Sequence, residues 1–474
     1  MTSRRVVADS WRIRERWGAA PAAHGIVVCV VLAAAVAAAA PERSGTELEA
    51  EKPQASAADR VMASIADETL RALVAEVLDR NPTVASLEAR ARAAEQKGAQ
   101  AGSLPDPQLT GMGFVAQPQT RVGPQVLQAS LSQRLPWFGK LKLSRRAADE
   151  AAAAMRADVS ARRLELVTET RRAYYELAFL DEQRTIVQTD KETLLHFEEL
   201  ARTRYASGLS HEQGVVKIDA EITKADNRLL DVQTRHAALA AWINALRDRP
   251  QDAAIPTPQP PALGPALGLD PSALRAQALS QRPDLHRADR DIARSDALVE
   301  LAHKAFMPDL SVGATWTSVG QRTDPAGVAS PPPDNGHDSL GVSLSLNLPM
   351  HRRRLAAGLT EAEEQRLAAV AHKRGVVAAI DRDLADLRER ERLTGEQAHL
   401  FDDVLIIQAE QSLRSAEAGY AAGALNSLDL LDAERTLLDV RISAARARAD
   451  HAIALARLEG AVGVPLAETK GAEQ

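Results

Sequence analysis

Apolar and small polar residues alternate in two stretches of the chain, and each stretch lies between long helical segments. In residues 340–348, leucine or valine takes every second position, with glycine, serine or asparagine between. Residues 127–135 alternate in a similar way. Each stretch has a partner of the same period, beginning at Leu109 or Leu310. Alternation over about 9–11 residues is typical of a tilted strand that crosses a bilayer.

These stretches predict four membrane strands, two within residues 107–136 and two within 308–349. One face of the strands would meet lipid, and its predicted residues are Leu127, Leu131, Leu135, Leu340, Val342, Leu344 and Leu346. Aromatic residues near the ends of membrane strands are typical of an interfacial girdle. Those of this chain are Trp137, Phe138, Phe306 and Trp316. The alternative is a surface hairpin of a soluble protein, with one face packed on a core.

Long helices are predicted beside the strands. Residues 140–205 contain neither proline nor glycine, and a helix of this length would extend roughly 100 Å. Apolar residues recur every seven positions, as in a coiled coil, at Leu166, Ala173, Leu180, Val187, Leu194 and Ala201 and again at Leu431, Leu438, Ala445 and Ala452. Gly208 and Gly423 would end the outgoing helices and let the chain turn back. The long helices are predicted over 140–205, 210–248, 351–417 and 426–462.

The whole arrangement occurs twice along the chain. Pro107 and Pro308 lie 201 positions apart, and Tyr205 and Tyr420 lie 215 positions apart. A duplicated unit of helix, two strands and two long helices explains both offsets. The predicted segments are a first repeat at 61–248, a proline-rich linker at 249–271, a second repeat at 272–466 and a tail at 467–474.

The amino-terminal residues predict export from the cytoplasm. Five arginines precede an apolar run at 26–36 and a series of alanines that ends at Ala40, which is the pattern of a cleaved signal peptide. We therefore assign residues 1–40 to a signal peptide and residues 41–60 to a flexible leader. The alternative is a retained amino-terminal anchor. The only cysteine, Cys29, lies within the apolar run, so the mature chain would have none.

Composition and motif content argue against an enzyme. The formal net charge is −6, and no basic patch with interleaved aromatic residues is present, so nucleic acid is a poor candidate partner. No zinc-protease motif, glycine-rich phosphate loop or nucleophile elbow occurs in the sequence. The segment Asp334–Asp338 lacks the spacing of a calcium loop and is interpreted as a turn. We predict no catalytic residues, no metal site and no cofactor.

Four motifs in this order and spacing resemble the TolC family of outer-membrane efflux ducts, over about residues 61–466. The motifs are Leu131–Lys140 (LSQRLPWFGK), Arg204–Leu209 (RYASGL), Tyr420–Gly423 (YAAG) and Asp429–Ala433 (DLLDA). The resemblance implies a mainly α-helical fold with membrane β-strands. Three chains would form one twelve-stranded β-barrel in the outer membrane of a Gram-negative bacterium. An α-helical barrel of antiparallel coiled-coil helices would continue it into the periplasm.

The resemblance also implies partners for the two turns. They would lie at the periplasmic tip, where a periplasmic adaptor connects the duct to an inner-membrane pump. The residues implied for this contact are Arg204, Tyr205, Gly208, Leu209, Tyr420 and Gly423.

A further implication is a gate at the narrow periplasmic end of the tunnel. Asp429 and Asp432 match a pair that lines this end in the family, where three copies would place six carboxylates that favour cations. The alternative is helix capping, with Asn426 or Ser427 as the N-cap and Asp429 in the first turn.

Two positions depart from the family pattern. Leu425 stands where some relatives carry an arginine that ties the closed tip together, and Gly214 stands where an aspartate is common. Those latch contacts are therefore not assigned to this chain.

The function predicted is a passive exit duct of a tripartite efflux pump. The alternatives are a periplasmic coiled-coil scaffold or adaptor, and a duct of the same fold for type I protein secretion. The sequence does not indicate whether the substrate is a drug, a metal ion or a protein.

Overall fold

The computed structural model describes residues 56–208, 211–264 and 268–466. All of these residues lie in one unit of the chain, Ala55–Gln474. Outside the described residues lie the predicted signal peptide, the predicted leader up to residue 55, the tail at 467–474 and Leu209. Within the described ranges, no helix combines the length and the apolar character needed to span a bilayer.

The first repeat begins with three short helices where the sequence predicts one helical segment. Ser56 caps the first of them, since its hydroxyl accepts from the Asp59 N–H (3.2 Å) and the Asp59 carboxylate accepts from the Ser56 N–H (3.3 Å). This helix therefore starts at Ala57, inside the segment predicted to be a leader. Asp67 and Asn81 cap the two helices that follow. The elements are α1 (Ala57–Ala63), α2 (Glu68–Arg80), α3 (Pro82–Gly102), β1 (Gln108–Gly113), β2 (Gln119–Thr120), β3 (Gly123–Leu135), α4 (Lys140–Ala206) and α5 (Glu212–Leu246).

In the described residues, the second repeat begins with two helices instead of three, has a short helix in its strand-connecting loop where the first repeat has β2, and divides its long helix into two. Its first helix begins with Asp270 as the N-cap, whose carboxylate accepts from two backbone N–H groups of the first turn. The elements are α6 (Pro271–Gln281), α7 (Pro283–Lys304), β4 (Leu310–Val319), α8 (Pro325–Ala329), β5 (Ser339–Leu346), α9 (Arg352–Leu400), α10 (Ile406–Ala421) and α11 (Ser427–Val462).

A π-helical turn at Phe401–Leu405 joins α9 to α10. Pro136 and Pro349 lie 213 positions apart, whereas Tyr205 and Tyr420 lie 215 apart, so the second repeat has two more residues between strand and turn. A single π-helical turn accommodates one extra residue within a long α-helix, so it accounts for one of these two. The long helix of the second repeat is therefore interrupted where α4 is continuous.

The long helices pack side by side along the stripes that the heptad pattern predicts. All ten residues predicted for the seam are buried, with an exposed fraction of 8% or less. The central helix α4 packs against α3, α5, α7 and α11. One apolar cluster surrounds Leu166 and Tyr174 beside α1 and α2, and another surrounds Leu194, Ile218 and Tyr420 near the turns. Burial of this stripe, rather than local propensity, holds helices of such length together.

One antiparallel sheet contains strands from both repeats, in the order β1-β3-β4-β5. The two-residue strand β2 pairs with the start of β3 and extends the first hairpin. The pairing of β3 with β4 joins the first repeat to the second. The outer edges of β1 and β5 have no strand beside them in the described part of the chain.

The proline-rich linker is bound to the first repeat. The Asn244 side-chain amide donates to the carbonyl oxygens of Gln251 (2.9 Å) and Ala253 (2.8 Å). The Tyr174 hydroxyl accepts from the Gln259 N–H (3.1 Å). These bonds satisfy backbone groups that a loop without regular structure would otherwise leave unpaired.

Candidate functional site

The apolar and polar residues of the strands separate onto the two faces of the sheet. Residues directly opposite each other in an antiparallel pair share a face. Leu344 lies opposite Val312, and Val342 lies opposite Ala314, which is itself opposite Leu131. All seven residues predicted to meet lipid lie on this one face. The other face carries mostly serine, threonine, glycine and glutamine.

Most of this apolar face is uncovered in the described structure. The exposed fraction is 68% for Leu340, 82% for Val342, 68% for Leu344 and 53% for Leu346. A contiguous exposed apolar surface marks contact with a membrane or a partner. The soluble alternative requires this face to pack on a core, and the described structure has no core against it. Contact with lipid remains a prediction.

The predicted interfacial aromatics lie at two levels of the sheet. At the helical end, Phe138 is 86% exposed and packs edge to face on Trp137, with ring centroids 5.9 Å apart. Phe306 lies just before β4 at the same end. Trp316 lies six residues beyond Leu310, roughly 20 Å further along the strand. This separation is comparable with the height of an apolar band between two girdles, about 25 Å.

The loop at Asp334–Asp338 forms contacts of its own with the strands. The Asp334 carboxylate pairs with Arg121 (2.5 Å). The Asp338 carboxylate accepts from the Trp316 indole N–H (3.1 Å) and the Val319 N–H (3.0 Å). In the described ranges, no group of three or more histidine, cysteine, aspartate or glutamate side chains is arranged to hold a metal ion.

Asp309 connects the sheet to the long helix of the other repeat. Its carboxylate accepts hydrogen bonds from Lys140 Nζ (2.6 Å), the Arg134 guanidinium (2.7 Å) and the Trp137 N–H (3.0 Å). Its backbone N–H donates to the Asn347 side chain, and its carbonyl accepts from the Asn347 N–H (3.1 Å). Burial alone would raise the pKa of the Asp309 carboxyl, but these donors lower the pKa to about 2. An ionised carboxylate therefore holds the strand ends of both repeats to α4.

Two glycines form the turns at the opposite end of the long helices. Gly208 follows α4 with φ +70, and Gly423 follows α10 with φ +79. Their N–H groups donate to the carbonyls of Tyr205 (2.9 Å) and Tyr420 (3.0 Å). Positive φ is accessible to glycine without the steric cost that other residues incur. Leu209, the remaining residue of the first predicted motif, lies outside the described residues.

Arg204 of the first turn binds the end of the helix that leads into the second. Its guanidinium donates to the carbonyl oxygens of Tyr420 and Ala421 and lies 4.8 Å from the centroid of the Tyr420 ring. A cation at the carboxyl end of a helix stabilises the unpaired carbonyls and the helix dipole. Tyr420 is 2% exposed, whereas Tyr205 is 48% exposed. Of the residues predicted to contact an adaptor, Arg204 and Tyr420 therefore bind each other across the two turns.

Asn426 caps the helix that leaves the second turn, and Asp429 completes the capping box. The Asn426 side chain accepts from the N–H groups of Leu428 (2.7 Å) and Asp429 (3.2 Å), and the Asp429 carboxylate accepts from the Asn426 N–H (3.2 Å). Capping by Asn426, the alternative weighed from the sequence, is present. Asp429 and Asp432 are also exposed and lie on one face of α11, so both carboxylates are accessible for a role in the tunnel.

The two departures from the family pattern have a structural basis. A Cβ atom at Gly214 would lie 2.5 Å from Ser427 Oγ and 3.1 Å from Ser427 Cβ, so a larger residue there would require the Ser427 side chain to move. Leu425 packs against Gly419, where a Cβ atom would lie 2.7 Å from its side chain. The contact of the side chain at this position is therefore apolar.

A groove of about 720 Å³ separates the two turns. Its lining includes Arg204, Gly208, His211, Leu425 and Asp429. Every residue of the predicted contact set that the structure describes, except Tyr205, lines this groove. The geometry thus brings the two motifs, which lie far apart in the sequence, to one surface.

Asp190, which we did not predict, is a buried charge between the long helices. It is 8% exposed, and its Oδ2 atom has no hydrogen-bond partner among the described residues. Burial raises the pKa of the Asp190 carboxyl to about 6, although the nearby Arg228 acts in the opposite direction. Its spacing from Val187 and Leu194, three and four positions, places it on the heptad seam. That spacing could have identified Asp190 from the sequence.

Comparison with known proteins identifies the family. The sequence profile described as outer membrane efflux protein matches residues 73–245 and 274–464. Nodulation protein T of Rhizobium leguminosarum bv. trifolii is 23% identical over 378 residues, covering 77% of this chain and 78% of that protein. The pyoverdine export outer membrane protein OpmQ of Pseudomonas aeruginosa is 24% identical over 340 residues, covering 71% of this chain and 68% of that protein.

Solved structures show the same fold. The outer-membrane channel OprN superimposes with a TM-score of 0.72 at 20% identity, covering 86% of this chain and 92% of that chain. The predicted fold class, long helices with membrane strands as in the trimeric barrels of the TolC family, is confirmed by this likeness. The family match spans most of the two repeats. The chain therefore belongs to the outer membrane efflux protein family, the TolC family that its motifs predict.

Proposed function

We propose that the chain is the outer-membrane exit duct of a tripartite efflux pump. Three copies form a passive channel, and a periplasmic adaptor opens its tip so that small molecules or metal ions leave the cell. The observation that carries this proposal is the sheet, which within the described residues has an exposed apolar face and two unpaired edges. A bilayer does not solvate open edges, and four strands are too few to close a barrel. Three copies supply twelve strands.

The adaptor is proposed to bind at the groove between the turns. Exposed apolar residues lie around it, with exposed fractions of 48% for Tyr205, 37% for Leu425 and 44% for Leu428. Arg204, Tyr420 and Gly423 would act by fixing the shape of this surface. An inner-membrane pump would supply the energy, because the channel has no chemistry of its own in this proposal.

Asp429 and Asp432 are proposed to line the narrow end of the tunnel. In a trimer their six carboxylates would attract cations and repel anions within one aperture. Replacing both with asparagine should reduce cation preference, and block by multivalent cations, in single-channel recordings. The matched control, Glu68→Gln with Asp79→Asn in α2, removes the same charge from exposed positions away from the turns and should leave selectivity unchanged. Unchanged selectivity in the Asp429 and Asp432 variant would leave Asp429 with helix capping alone and would contradict a role for either carboxylate in the tunnel.

The native mass of the mature protein, extracted from outer membranes in detergent, tests the proposal as a whole. A mass about three times that of the mature chain supports a shared barrel. A soluble monomer or dimer in the periplasmic fraction would contradict the duct and favour the coiled-coil scaffold. A duct for type I protein secretion would give the same mass, and co-purification with a protein-exporting transporter would distinguish it.

A further inference from the structure

The two ends of the sheet differ in charge. At the helical end, the four connections between strands and helices, each taken with the adjoining helical turn, are residues 99–107, 136–143, 301–309 and 347–355. They contain six lysines and arginines but only two aspartates. The six cations, which form the basic patch, are Lys140, Lys142, Lys304, Arg352, Arg353 and Arg354. The loops at the other end, residues 114–122 and 320–338, contain two arginines and three aspartates.

Most of the basic patch has no carboxylate partner in the part of the chain that the structure describes. Lys140 is the exception, because its Nζ atom binds the Asp309 carboxylate (2.6 Å). The three arginines at 352–354 are exposed, and the Arg352 guanidinium lies 5.9 Å from the centroid of the Phe306 ring. At the loop end, by contrast, both arginines form ion pairs with aspartates. The unpaired positive charge is therefore confined to the helical end.

The basic patch continues the exposed apolar face of the sheet. Leu348 and Met350, which are 70% and 77% exposed, lie between the end of β5 and the three arginines. The exposed Phe138 likewise lies just before Lys140. The chain thus passes from apolar strand to exposed apolar and aromatic residues and then to cations. Acyl chains, interface and headgroups follow one another in this order across a leaflet.

The three arginines do not serve the helix in which they lie. They occupy the first turn of α9, where the helix dipole favours acidic residues and disfavours cations, and this turn contains no acidic residue. Successive residues of a helix are about 100° apart, so three of them cover about 200° of the helix surface. At least one arginine therefore points outward, whichever face α9 turns to the axis of a barrel.

We propose that the basic patch binds the phosphate groups of anionic phospholipids in the periplasmic leaflet of the outer membrane. The inference rests on the proposed duct, which places the strands in this membrane and the long helices in the periplasm. Lysines and arginines beside a bilayer attract anionic headgroups, and a guanidinium can donate two parallel hydrogen bonds to one phosphate. Three copies of the patch would fix the depth at which the barrel lies in the bilayer.

Quenching of tryptophan fluorescence by brominated lipids tests the proposal. Trp242→Phe with Trp316→Phe leaves Trp137 as the only tryptophan after residue 40, three positions before Lys140. The full protein with these two changes is reconstituted in phosphatidylcholine bilayers that contain phosphatidylglycerol, and one of the two lipids carries bromine on its acyl chains. Bromine quenches tryptophan only at short range, so the ratio of the two signals measures the preference of this surface for the anionic lipid.

We expect brominated phosphatidylglycerol to quench Trp137 about fivefold more effectively than brominated phosphatidylcholine, the factor that corresponds to one cation beside an anionic surface. The preference should disappear in 1 M salt, where charges are screened beyond about 3 Å. It should also disappear in a variant in which glutamine replaces all three arginines at 352–354. Lysine at the same three positions keeps the charge and should keep the preference.

The matched control removes the same charge from three exposed arginines away from the sheet. It combines Arg71→Gln, Arg184→Gln and Arg414→Gln, none of which breaks an ion pair among the described residues. This variant should retain the full preference for phosphatidylglycerol. Loss of the preference in the control as well would show an effect of total charge and would overturn the assignment to the basic patch.

The remaining outcomes separate the lipid preference from the proposed function. Equal quenching of Trp137 by the two brominated lipids would leave the strands in the membrane and overturn the binding of anionic lipid. A preference that persists when glutamine replaces the three arginines would also overturn it and would place them in the lumen or against a partner subunit. Quenching by neither lipid would mean that this end of the sheet does not meet a bilayer, which contradicts the proposed function itself.

Discussion

The sheet end and the turn end of the long helices are each held by one charged side chain, but in opposite ways. At the sheet end, the buried Asp309 carboxylate collects three donors, two of them cationic. At the turn end, Arg204 donates to neutral carbonyls and lies over a tyrosine ring. Hydrogen bonds between charged groups are stronger than those from a cation to a neutral acceptor. The molecule is thus fixed more firmly where we propose a permanent barrel than where we propose a gate.

The largest effect is expected on the apolar face of the sheet end. Leu344→Asp would place a carboxylate on the face proposed to meet lipid, where charged side chains are unfavourable. We expect the variant to be absent from the outer-membrane fraction. The adjacent substitution Ser343→Asp adds the same charge to the polar face and should assemble normally. Normal assembly of Leu344→Asp would contradict the lipid contact of this face.

The next effect is expected at the junction between sheet and helix. Asp309→Asn removes the carboxylate that binds Lys140 and Arg134 and should lower the free energy of unfolding by about 2 kcal/mol, measured by thermal unfolding in detergent. Asp386→Asn, which breaks an exposed pair with Arg390 on the surface of α9, is the control and should have no measurable effect.

The contribution of the Asp309 carboxylate to the free energy of unfolding depends on pH. Because the pKa of Asp309 is lower in the folded chain, at about 2, its contribution is present above pH 4 and lost as the pH falls through 2. The unmodified protein and Asp309→Asn should therefore differ at neutral pH and converge near pH 2. A difference that persists at that pH would mean that the effect comes from packing and not from charge.

Local patterns in the sequence predict the strands and long helices but not the contacts that fix them. Period-two alternation identifies β5, and the absence of proline and glycine identifies α4. The breaks at Asp67 and Asn81 were not predicted, although both are good N-cap residues and a proline follows Asn81 at the start of the next helix. The contact between Asp309 and Lys140 spans 169 positions and depends on strand pairing, which no local pattern contains.

The region between the two ends is expected to respond to pH through Asp190. The folded chain binds the Asp190 proton more tightly than the unfolded chain, so the free energy of unfolding falls as the pH rises from about 4 to about 6. The charged groups that act on this carboxyl are Arg228 and Glu221 of α5 and Arg441 and Asp439 of α11.

Asp190→Asn removes the buried charge and should stabilise the protein at pH 7.5 by about 1–3 kcal/mol. The gain should disappear at pH 4.5, where the native carboxyl is already protonated. Thermal unfolding at the two pH values provides the measurement. An equal gain at both pH values would show that burial of the Asp190 charge does not destabilise the folded chain.

The smallest effect distinguishes the two glycines of the turn end. Gly208→Ala and Gly423→Ala both place a side chain at positive φ, at a cost of about 1 kcal/mol each. A Cβ atom at Gly208 would meet no atom of the described residues within 4 Å, whereas one at Gly423 would lie 3.3 Å from the Arg204 guanidinium. Gly423→Ala should therefore disturb the contact between the turns and increase the rate of tryptic cleavage at Arg204 more than Gly208→Ala does. Equal rates for both variants would mean that the Arg204 side chain moves away from the new Cβ atom without weakening the contact between the turns. The turn end would then be held by its helix caps, and a gate there would have to open by a route other than release of Arg204.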